Sequence, residues 1–242
     1  MAWLISSVTD KTSKVAEYIL AAREMGISIL PVDVNKWVAD FGVEGKNIRF
    51  GFNAVKSMGR PTITAIIEER TNNGDFHSMQ DFITRMAGVI NKRTVEHLIL
   101  AGAFDTFGNT RRGMMNVYER MIDSAVKQNK DAISGQMSLF DFVSEEDKQS
   151  LEMKVPDIQE FEKEDLLERE KEVLGVYVTG HPLDEYTGMW EKHISARSTD
   201  FLIDEETGQA KLMNGSKQTI GGLISNIKVI TTGSGQQMAY LT

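Results

Sequence analysis

The chain has 242 residues, of which 41% are hydrophobic and 26% charged, and it contains no cysteine, which excludes disulfides and thiolate metal sites. No apolar run approaches the roughly 20 residues that a membrane-spanning helix needs. The apolar first eight residues lack the basic region and the cleavage site of a signal peptide. We therefore expect a cytoplasmic protein without membrane contact, built from one large or two small domains.

The net charge of −8 is unevenly distributed. Residues 128–175 contain fourteen acidic and six basic side chains, which accounts for the whole acidic excess. Residues 89–130 carry seven basic against four acidic groups. A locally basic surface that binds nucleic acid is therefore compatible with an acidic chain.

The first fifty residues predict one helix followed by short strands. Hydrophobic spacing indicates a helix from Asp10 to Gly26, with Asp10 or Thr12 as its N-cap. The β-rich stretch from Ile27 to Val34 is interrupted by Pro31, which favours a short or edge strand. A β hairpin is predicted around the turn residues 44–47, with strands at 41–43 and 48–50.

The following eighty residues predict a close succession of helices. Glycine-containing joints separate them at Met58-Gly59-Arg60, Asn72-Asn73-Gly74, Ala87-Gly88 and Gly102 to Asn109. Ser78 and Asn91 are predicted N-caps. The predicted helices are Phe52 to Ser57, Pro61 to Thr71, Ser78 to Met86, Asn91 to Ala101, and Thr110 to Asn129.

The rest of the chain begins with a polar, acidic stretch, residues 131–158, that is typical of a linker. A charged helix is expected from Gln159 to Leu174, with Gly175 as its C-cap. Strands are expected at 219–232 and 238–241. Because one hairpin cannot bury a face by itself, these strands indicate the start of a larger β domain.

Paired helices joined by glycine turns are typical of the helix-hairpin-helix, in which backbone N–H groups at a helix start approach a phosphate and nearby cations neutralise it. We interpret residues 52–70 and 93–120 as two such units. The candidate DNA-binding residues are Lys56, Ser57, Gly59, Arg60, Lys92, Arg93, Arg111 and Arg112. The alternative is an all-α bundle that merely carries surface charges.

An apolar island, Gln136-Met137-Ser138-Leu139-Phe140, lies in the acidic linker. Leu139 and Phe140 could enter a pocket of a partner protein while Gln136 makes directional amide hydrogen bonds. The alternative is a linker that anchors onto its own domain.

Two further features fit ordinary structural roles better than catalytic ones. His181 lies in a Gly/Pro turn beside Asp184 and Glu185, where a structural histidine is far more common than a metal ligand. The acidic residues from Glu160 to Glu172 alternate with basic ones, as on a solvated helix face. No catalytic motif or metal-binding cluster is recognisable, so we predict no catalytic residue and no metal ligand in this chain.

The order of these segments resembles the C-terminal half of the bacterial DNA polymerase III alpha subunit, the C-family replicative polymerase, over nearly the full chain. Residues 7–19, 26–35 and 48–51 resemble its fingers region, and 91–93 with 101–105 resemble its tandem helix-hairpin-helix region. Gln136 to Phe140 is similar to its clamp-binding pentapeptide, and 172–175 with 180–183 to the signature that precedes its OB domain. Residues 222–224, 228 and 238–241 resemble the first strands of that OB domain.

The resemblance implies a mainly α fold with a short β hairpin near the N-terminus, a tandem helix-hairpin-helix domain, and the start of a truncated OB-type β-barrel. The implied segments are 1–50, end of the fingers; 51–130, helix-hairpin-helix domain; 131–158, linker with clamp motif; 159–216, helix and connector; and 217–242, first OB strands. One departure is Met58-Gly59-Arg60, where an apolar-Gly-apolar turn is common.

The resemblance also implies a function: a part of a DNA-directed DNA polymerase that binds duplex primer-template DNA and the sliding clamp. The catalytic palm and its Mg²⁺ would lie upstream of Met1, so we expect this chain alone to be inactive and without a cofactor. Other replisome subunits are expected partners, and single-stranded DNA is a ligand expected of a complete OB domain. The rival functions are a free-standing DNA-binding or repair adaptor and a purely protein-binding helical module.

Overall fold

The computed structural model describes residues 1–242 except 10, 37–38, 134–152, 204–207, 225 and 242. The chain divides into two compact units, residues 1–179 (unit 1) and 180–242 (unit 2). The clamp-motif residues 136–140 lie outside the described residues. The division at residue 179 falls inside the predicted connector 159–216, and the five predicted segments stay predictions.

Unit 1 begins with two helices and a small mixed sheet. Its elements here are α1 (Ala2–Ser6), α2 (Thr12–Glu24), β1 (Ile29–Leu30), β2 (Gly42–Glu44) and β3 (Asn47–Arg49). The strand order is β1-β3-β2, with β1 parallel and β2 antiparallel to β3, and Val43 pairs with Ile48. The predicted hairpin is confirmed, whereas α2 begins at Thr12 after an N-cap, Lys11, that makes no side-chain cap bond.

The middle of unit 1 is helical. It contains a 3-10 turn (Phe52–Ala54), α3 (Arg60–Asn73), α4 (Met79–Arg85), α5 (Lys92–Leu100), a second 3-10 turn (Asp105–Phe107) and α6 (Arg111–Ile133). The predicted caps are confirmed, because the Ser78 hydroxyl accepts from the Asp81 N–H and the side-chain oxygen Oδ1 of Asn91 accepts from the Thr94 N–H. The segment predicted as the first of these helices forms only the short 3-10 turn, since Val55 is extended.

Aromatic side chains fix the position of these helices. Phe82 of α4 packs edge-to-face against Phe76 and Phe104, with ring centroids 5.0 and 5.1 Å apart. Leu98 of α5 and Met114 of α6 are fully buried in the same core. Burying such side chains supplies the main stabilising free energy, so α4, α5 and α6 form a rigid base for the turns between them.

After the linker the chain returns to unit 1 as α7 (Lys163–Leu174). Leu167 and Val173 are buried, and Gly175 ends the helix in the left-handed conformation (φ 78°), as predicted. A Cβ at Gly113 of α6 would lie 2.6 Å from the carbonyl oxygen of Pro156, so this glycine permits the close approach of the returning chain. Residues 153–179 are therefore part of unit 1.

Unit 2 contains little regular structure. Its elements are 3-10 turns at Asp184–Tyr186 and Ser198–Phe201, the helix α8 (Thr187–His193), and the strands β4 (Ile227–Thr231) and β5 (Gln237–Leu241). The two strands pair antiparallel, with Val229 opposite Ala239. Within the described part of unit 2 they form a two-stranded hairpin and no closed barrel. The mainly α class is thus confirmed, and the start of an OB-type barrel is not.

Of the helices in the described ranges, none combines the length and apolar character that crossing a bilayer requires.

Candidate nucleic-acid interface

Two helical hairpins of unit 1 bring most of the predicted DNA-binding residues to the surface. Hairpin 1 consists of the 3-10 turn Phe52–Ala54, the connecting residues 55–59 and α3. Hairpin 2 consists of α4, residues 86–91 and α5. The sequence predicts that α5 pairs with α6, and in the structure these two helices do pack against each other. Hairpin 2 lies directly before them, and its apolar-Gly-apolar turn, Ala87-Gly88-Val89, joins α4 to α5.

The turn of hairpin 1 has a conformation that few residues adopt. Ser57 has a φ of 66° and is the one non-glycine with positive φ among the described residues. Gly59, with an extended backbone, then forms the N-cap of α3, which has no side-chain cap and Pro61 in its first turn. Because a helix offers no acceptor to its first N–H groups, those of Arg60 and Thr62 remain available to a ligand. Ser57, Gly59 and Arg60 are all exposed.

Lys56 holds this turn in place from three directions. Its backbone N–H donates to the Val173 carbonyl at 2.9 Å, and its Nζ donates to the Glu172 carbonyl at 2.6 Å. Its own carbonyl lies 2.7 Å from Nδ1 of His97, on α5 of hairpin 2. The ammonium group therefore binds the C-terminal carbonyl end of α7, where a cation is favoured, and its first role is to position hairpin 1.

The turn of hairpin 2 relies on a glycine and a capping asparagine. Gly88 has a φ of 99°, which a residue with a side chain rarely adopts, and Val89 at the tip is 48% exposed. Asn91 caps α5 through the Thr94 N–H at 2.9 Å, which leaves the N–H groups of Lys92 and Arg93 without an acceptor in the helix. Both hairpins thus end in a helix start with free donors.

The cations of hairpin 2 differ in their surroundings. Nζ of Lys92 lies 3.0 Å from the Asp123 carboxylate and 3.3 Å from that of Glu119, both on α6. The hydrogen bonds to Asp123 and Glu119 raise the pKa of Lys92 above its usual value. Arg93 is exposed on the next position of the helix. The exposed guanidinium of Arg93 is therefore better placed to bind a phosphate than the ammonium of Lys92, whose charge is already paired with the carboxylates of Asp123 and Glu119.

The start of α6 differs from both hairpins, because a carboxylate of the chain already occupies it. The Glu160 carboxylate accepts the Arg111 N–H at 2.6 Å and the Arg112 N–H at 2.9 Å, and the Gly113 N–H donates to the Thr110 hydroxyl. The donors that we expected to receive a phosphate are therefore satisfied internally. Sequence reasoning missed Glu160, since it lies about fifty residues from its partners.

Arg111 is buried, with 3% of its surface exposed. Its guanidinium bonds both oxygens of Asp105 at 3.0 and 2.6 Å and the Leu100 carbonyl at 2.8 Å, and lies 3.5 Å from Glu170. Burial alone would lower the pKa of Arg111, but the bonds and charge of Asp105 outweigh it and raise that pKa. This burial argues against the expected phosphate contact through Arg111 and leaves Arg112 as the exposed cation of the pair.

His181 has the contacts of a structural turn, whereas the expected solvated face of the acidic stretch is wrong at Glu170, which is fully buried and accepts hydrogen bonds from Val178 and Thr179. The main-chain N–H of His181 donates to Asp184 at 2.7 Å and its Nδ1 accepts from the Leu183 N–H, as in a structural turn. Within the described ranges, no three His, Asp or Glu side chains are grouped so that they could hold a metal ion.

Comparisons with known proteins agree with this geometry. A family described as a helix-hairpin-helix motif matches residues 26–114, which include both hairpins. The chain is 36% identical over its whole length to the DNA polymerase III subunit alpha of Thermus aquaticus, covering 19% of that protein. It is 34% identical, over 94% of its length, to the subunit of the same name from Mycobacterium leprae, again covering 19%.

The same subunit of Deinococcus radiodurans is 33% identical over 99% of the chain, which covers 18% of it. The chain thus spans about a fifth of the length of the curated relatives it matches. The similarity, which extends over nearly the whole chain, confirms the resemblance to the bacterial DNA polymerase III alpha subunits that the sequence indicated, and residues 26–114 of the chain match a helix-hairpin-helix motif.

Proposed function

We propose that this chain binds the sugar-phosphate backbone of duplex DNA through hairpins 1 and 2, as part of a DNA polymerase III alpha subunit. The observation that carries the proposal is the pair of turns, at Ser57 and Gly88, that each end in a helix start with free N–H donors. Both lie inside the matched helix-hairpin-helix motif. Such contacts grip the backbone without reading the base sequence.

Each hairpin would bind a phosphate in the same way. The helix macrodipole and the free N–H groups attract the anion at the start of α3 and of α5. Arg60 and Arg93, both exposed and in those first turns, supply the neutralising charge. Lys56 and His97 hold the two turns at a fixed separation, because they join hairpin 1 to α5. Two phosphates bound together favour an ordered duplex over a flexible strand.

The test is a double variant, Arg60→Ala with Arg93→Ala, titrated with a fluorescent duplex over a series of salt concentrations. We expect weaker binding and a slope of log affinity against log salt that is flatter by about one unit per lost contact. The matched control replaces two exposed lysines of other elements, Lys36 and Lys46, with Ala, and should keep the wild-type slope. Equal slopes for all three proteins would refute the proposal, and no salt-dependent affinity at all would favour the protein-binding alternative.

We propose further that Gln136 to Phe140 docks onto the sliding clamp. What supports this is the apolar pentapeptide itself, together with the anchoring of the chain that follows it. The Thr110 hydroxyl donates to the Ile158 carbonyl at 3.1 Å, and Pro156 lies against Gly113. The returning chain is thus held by residues other than the pentapeptide. A docking peptide between such attachments acts by effective concentration, so even weak binding aids processivity.

The clamp proposal is tested by replacing Gln136, Leu139 and Phe140 with Ala. Binding to the cognate clamp should be lost, because Leu139 and Phe140 would each supply about 1.5–3 kcal/mol when buried. The melting temperature and the DNA affinity should not change. The control, Val143→Ala with Leu151→Ala, alters two apolar residues of the same segment and should still bind the clamp. Unfolding of the triple variant would mean that the pentapeptide is a core anchor instead.

The parent enzyme is proposed to be a DNA-directed DNA polymerase, with its Mg²⁺-binding palm outside the fifth that this chain matches. Metal-bound carboxylates there would activate the primer hydroxyl. The pure chain should then incorporate no nucleotide on a primed template with Mg²⁺, and measurable incorporation would contradict this assignment. Strands β4 and β5 are proposed to belong to an OB-type domain that binds single-stranded DNA when complete, among other replisome subunits.

A further inference from the structure

The exposed side of α6 carries a set of charges that the hairpins do not use. Between Arg112 and Lys130 the helix has six charged residues, four basic and two acidic, and all six are exposed. At 3.6 residues per turn they fall within an arc of about 100° on one side of the helix. We call the four cations, Arg112, Arg120, Lys127 and Lys130, the α6 basic face.

The two carboxylates on this side of α6 are already paired. Glu119 and Asp123 both bind Lys92 of α5, at 3.3 and 3.0 Å, and the second oxygen of Glu119 accepts from the Tyr118 hydroxyl. Counting Lys92, the surface holds five cations and two anions. A charged helix face is ordinarily self-balanced by pairs along the same helix. Here a cation from another helix binds both carboxylates, so the surface as a whole keeps an excess of three positive charges, five minus two.

The α6 basic face continues the surface of hairpin 2. Lys92, which pairs with the middle of the face, is in the first turn of α5 beside Arg93. Closer to the C-terminus of α6, the Asn129 side chain donates to the Ala87 carbonyl at 3.1 Å, in the turn of hairpin 2 itself. Because Lys130 follows Asn129 directly, the C-terminal end of the α6 basic face lies within one helical turn of the residue that contacts this turn.

We propose that the α6 basic face binds the phosphate backbone of the DNA duplex that hairpins 1 and 2 bind, and so lengthens the contact made by hairpin 2. This inference rests on the proposed function. From Arg112 to Lys130 the helix makes eighteen residue steps and rises about 27 Å, at about 1.5 Å per step. Since B-DNA rises about 3.4 Å per base pair, the face can follow up to about eight base pairs. Because Glu160 closes the helix start, the contacts are made by side chains alone.

The first experiment compares Arg120→Ala with Lys127→Ala, as a double variant, with the Lys36→Ala, Lys46→Ala control. Each lost contact removes about 0.9 from the salt slope, so from 50 to 200 mM salt the variant should lose about tenfold less affinity than wild type. The effect should be larger on a 20-base-pair duplex than on a 10-base-pair duplex, which offers the hairpins their site but shortens the path along α6.

A second variant acts in the opposite direction, so that misfolding cannot imitate it. Glu119→Gln with Asp123→Asn removes both carboxylates and releases Lys92 from its partners. We expect tighter binding to the long duplex and a steeper salt slope. Unchanged binding in both α6 variants would overturn the proposal.

The hairpin variant, Arg60→Ala with Arg93→Ala, separates the failure of this inference from that of the proposed function. If it weakens binding while the α6 variants do not, the hairpins bind DNA and the α6 basic face does not. If the α6 variant alone weakens binding, the hairpin proposal fails. If Arg120→Ala with Lys127→Ala abolishes binding to polyglutamate and leaves DNA binding intact, the face serves an acidic protein and the inference is wrong.

Discussion

Ser57 stores conformational strain at the turn of hairpin 1. With a φ of 66°, its Cβ approaches the following carbonyl oxygen, a conformation that costs roughly 1–2 kcal/mol for a residue other than glycine. The turn nevertheless keeps this geometry because Lys56, one position earlier, is bonded to α7 on one side and to α5 on the other. The free energy of the contacts made by Lys56 therefore offsets the strain of the left-handed backbone at Ser57.

Replacing Ser57 with Gly should stabilise the protein by about 0.5–1 kcal/mol, since glycine adopts this φ without strain although it adds entropy to the unfolded chain. Ser57→Ala is the matched control, because alanine keeps the strain and should give no gain. Urea denaturation midpoints at constant m-value measure both. An equal gain for alanine and glycine would mean that the hydroxyl, and not φ, is unfavourable.

Arg111 and Arg112 are neighbours in sequence with opposite surroundings, and this predicts opposite mutational effects. Arg111→Ala leaves Glu170 (fully buried) and Asp105 without their cation, which should cost about 3–5 kcal/mol. Arg112→Ala, on the exposed side, should change stability by less than about 0.5 kcal/mol. Chemical denaturation distinguishes them. An Arg111→Ala protein of normal stability that has lost DNA affinity would restore Arg111 as a phosphate contact.

For single residues, the roles that depend on neighbours in the sequence could be predicted, whereas the contacts between residues far apart in the sequence could not. The caps Ser78 and Asn91 and the C-cap Gly175 follow from patterns within four residues of each helix end, and all three are confirmed. The burial of Arg111 depends on Asp105 and on Glu170, which is 59 positions away. No periodicity reveals that pairing, so two adjacent arginines looked equally suited to a phosphate.

Arg85 connects the end of α3 to α4 and so sets the relation between the two hairpins. Its guanidinium donates to the Glu69 carboxylate at 2.9 Å, to Asp81 at 3.3 Å and to the Gly74 carbonyl at 2.8 Å. Its central carbon Cζ also lies 4.3 Å from the centroid of the Phe76 ring. The hydrogen bond from Arg85 is the main reason that the pKa of Glu69 is lowered from its usual 4.5.

A lowered pKa predicts a specific pH dependence. Because the folded Glu69 carboxyl has a lower pKa than the unfolded one, its pairing stabilises the fold fully above about pH 4.5 and is lost as pH falls through the folded pKa. Arg85→Ala should therefore cost about 1.5–3 kcal/mol at pH 7, through its charged hydrogen bonds, and clearly less at pH 3. Urea titrations of both proteins at pH 7, 5 and 3 test this. A difference that is constant across pH would assign the effect to packing on Phe76.

Helices and strands could be predicted from the sequence where they are long enough for their hydrophobic residues to repeat with a helical or strand period. The helices α3 to α6 and the β2–β3 hairpin appear where the sequence indicated them. Two short helices, α1 and α8, were not predicted, because five and seven residues hold too few turns for a periodicity. The conformation of the turn between α4 and α5 could not be predicted in the same way, because it depends on the positive φ of Gly88 and on the hydrogen bond from Asn129 of α6 to Ala87.

The two units of the chain differ in how much apolar surface they bury. Nearly all buried hydrophobic residues belong to unit 1, whereas Ala196 is the one buried residue in the described part of unit 2. In β4 and β5, Ile227, Val229, Tyr240 and Leu241 are each more than half exposed. A two-stranded hairpin without a covered face is at best marginally stable in water. Its open edges and apolar side chains also favour pairing with another chain.

Hydrogen exchange should therefore separate the two units in the whole 242-residue chain. Amides of α5 and α6 lie over fully buried side chains and should exchange only through global unfolding, whereas those of β4 and β5 should exchange many-fold faster through local opening. Mass spectrometry of deuterium uptake, repeated over a range of protein concentrations, gives both rates. Protection of β4 and β5 that rises with concentration would mean that these strands associate between chains. Slow exchange in a dilute monomer would contradict the prediction, because it requires a protein surface that covers the strands within one chain.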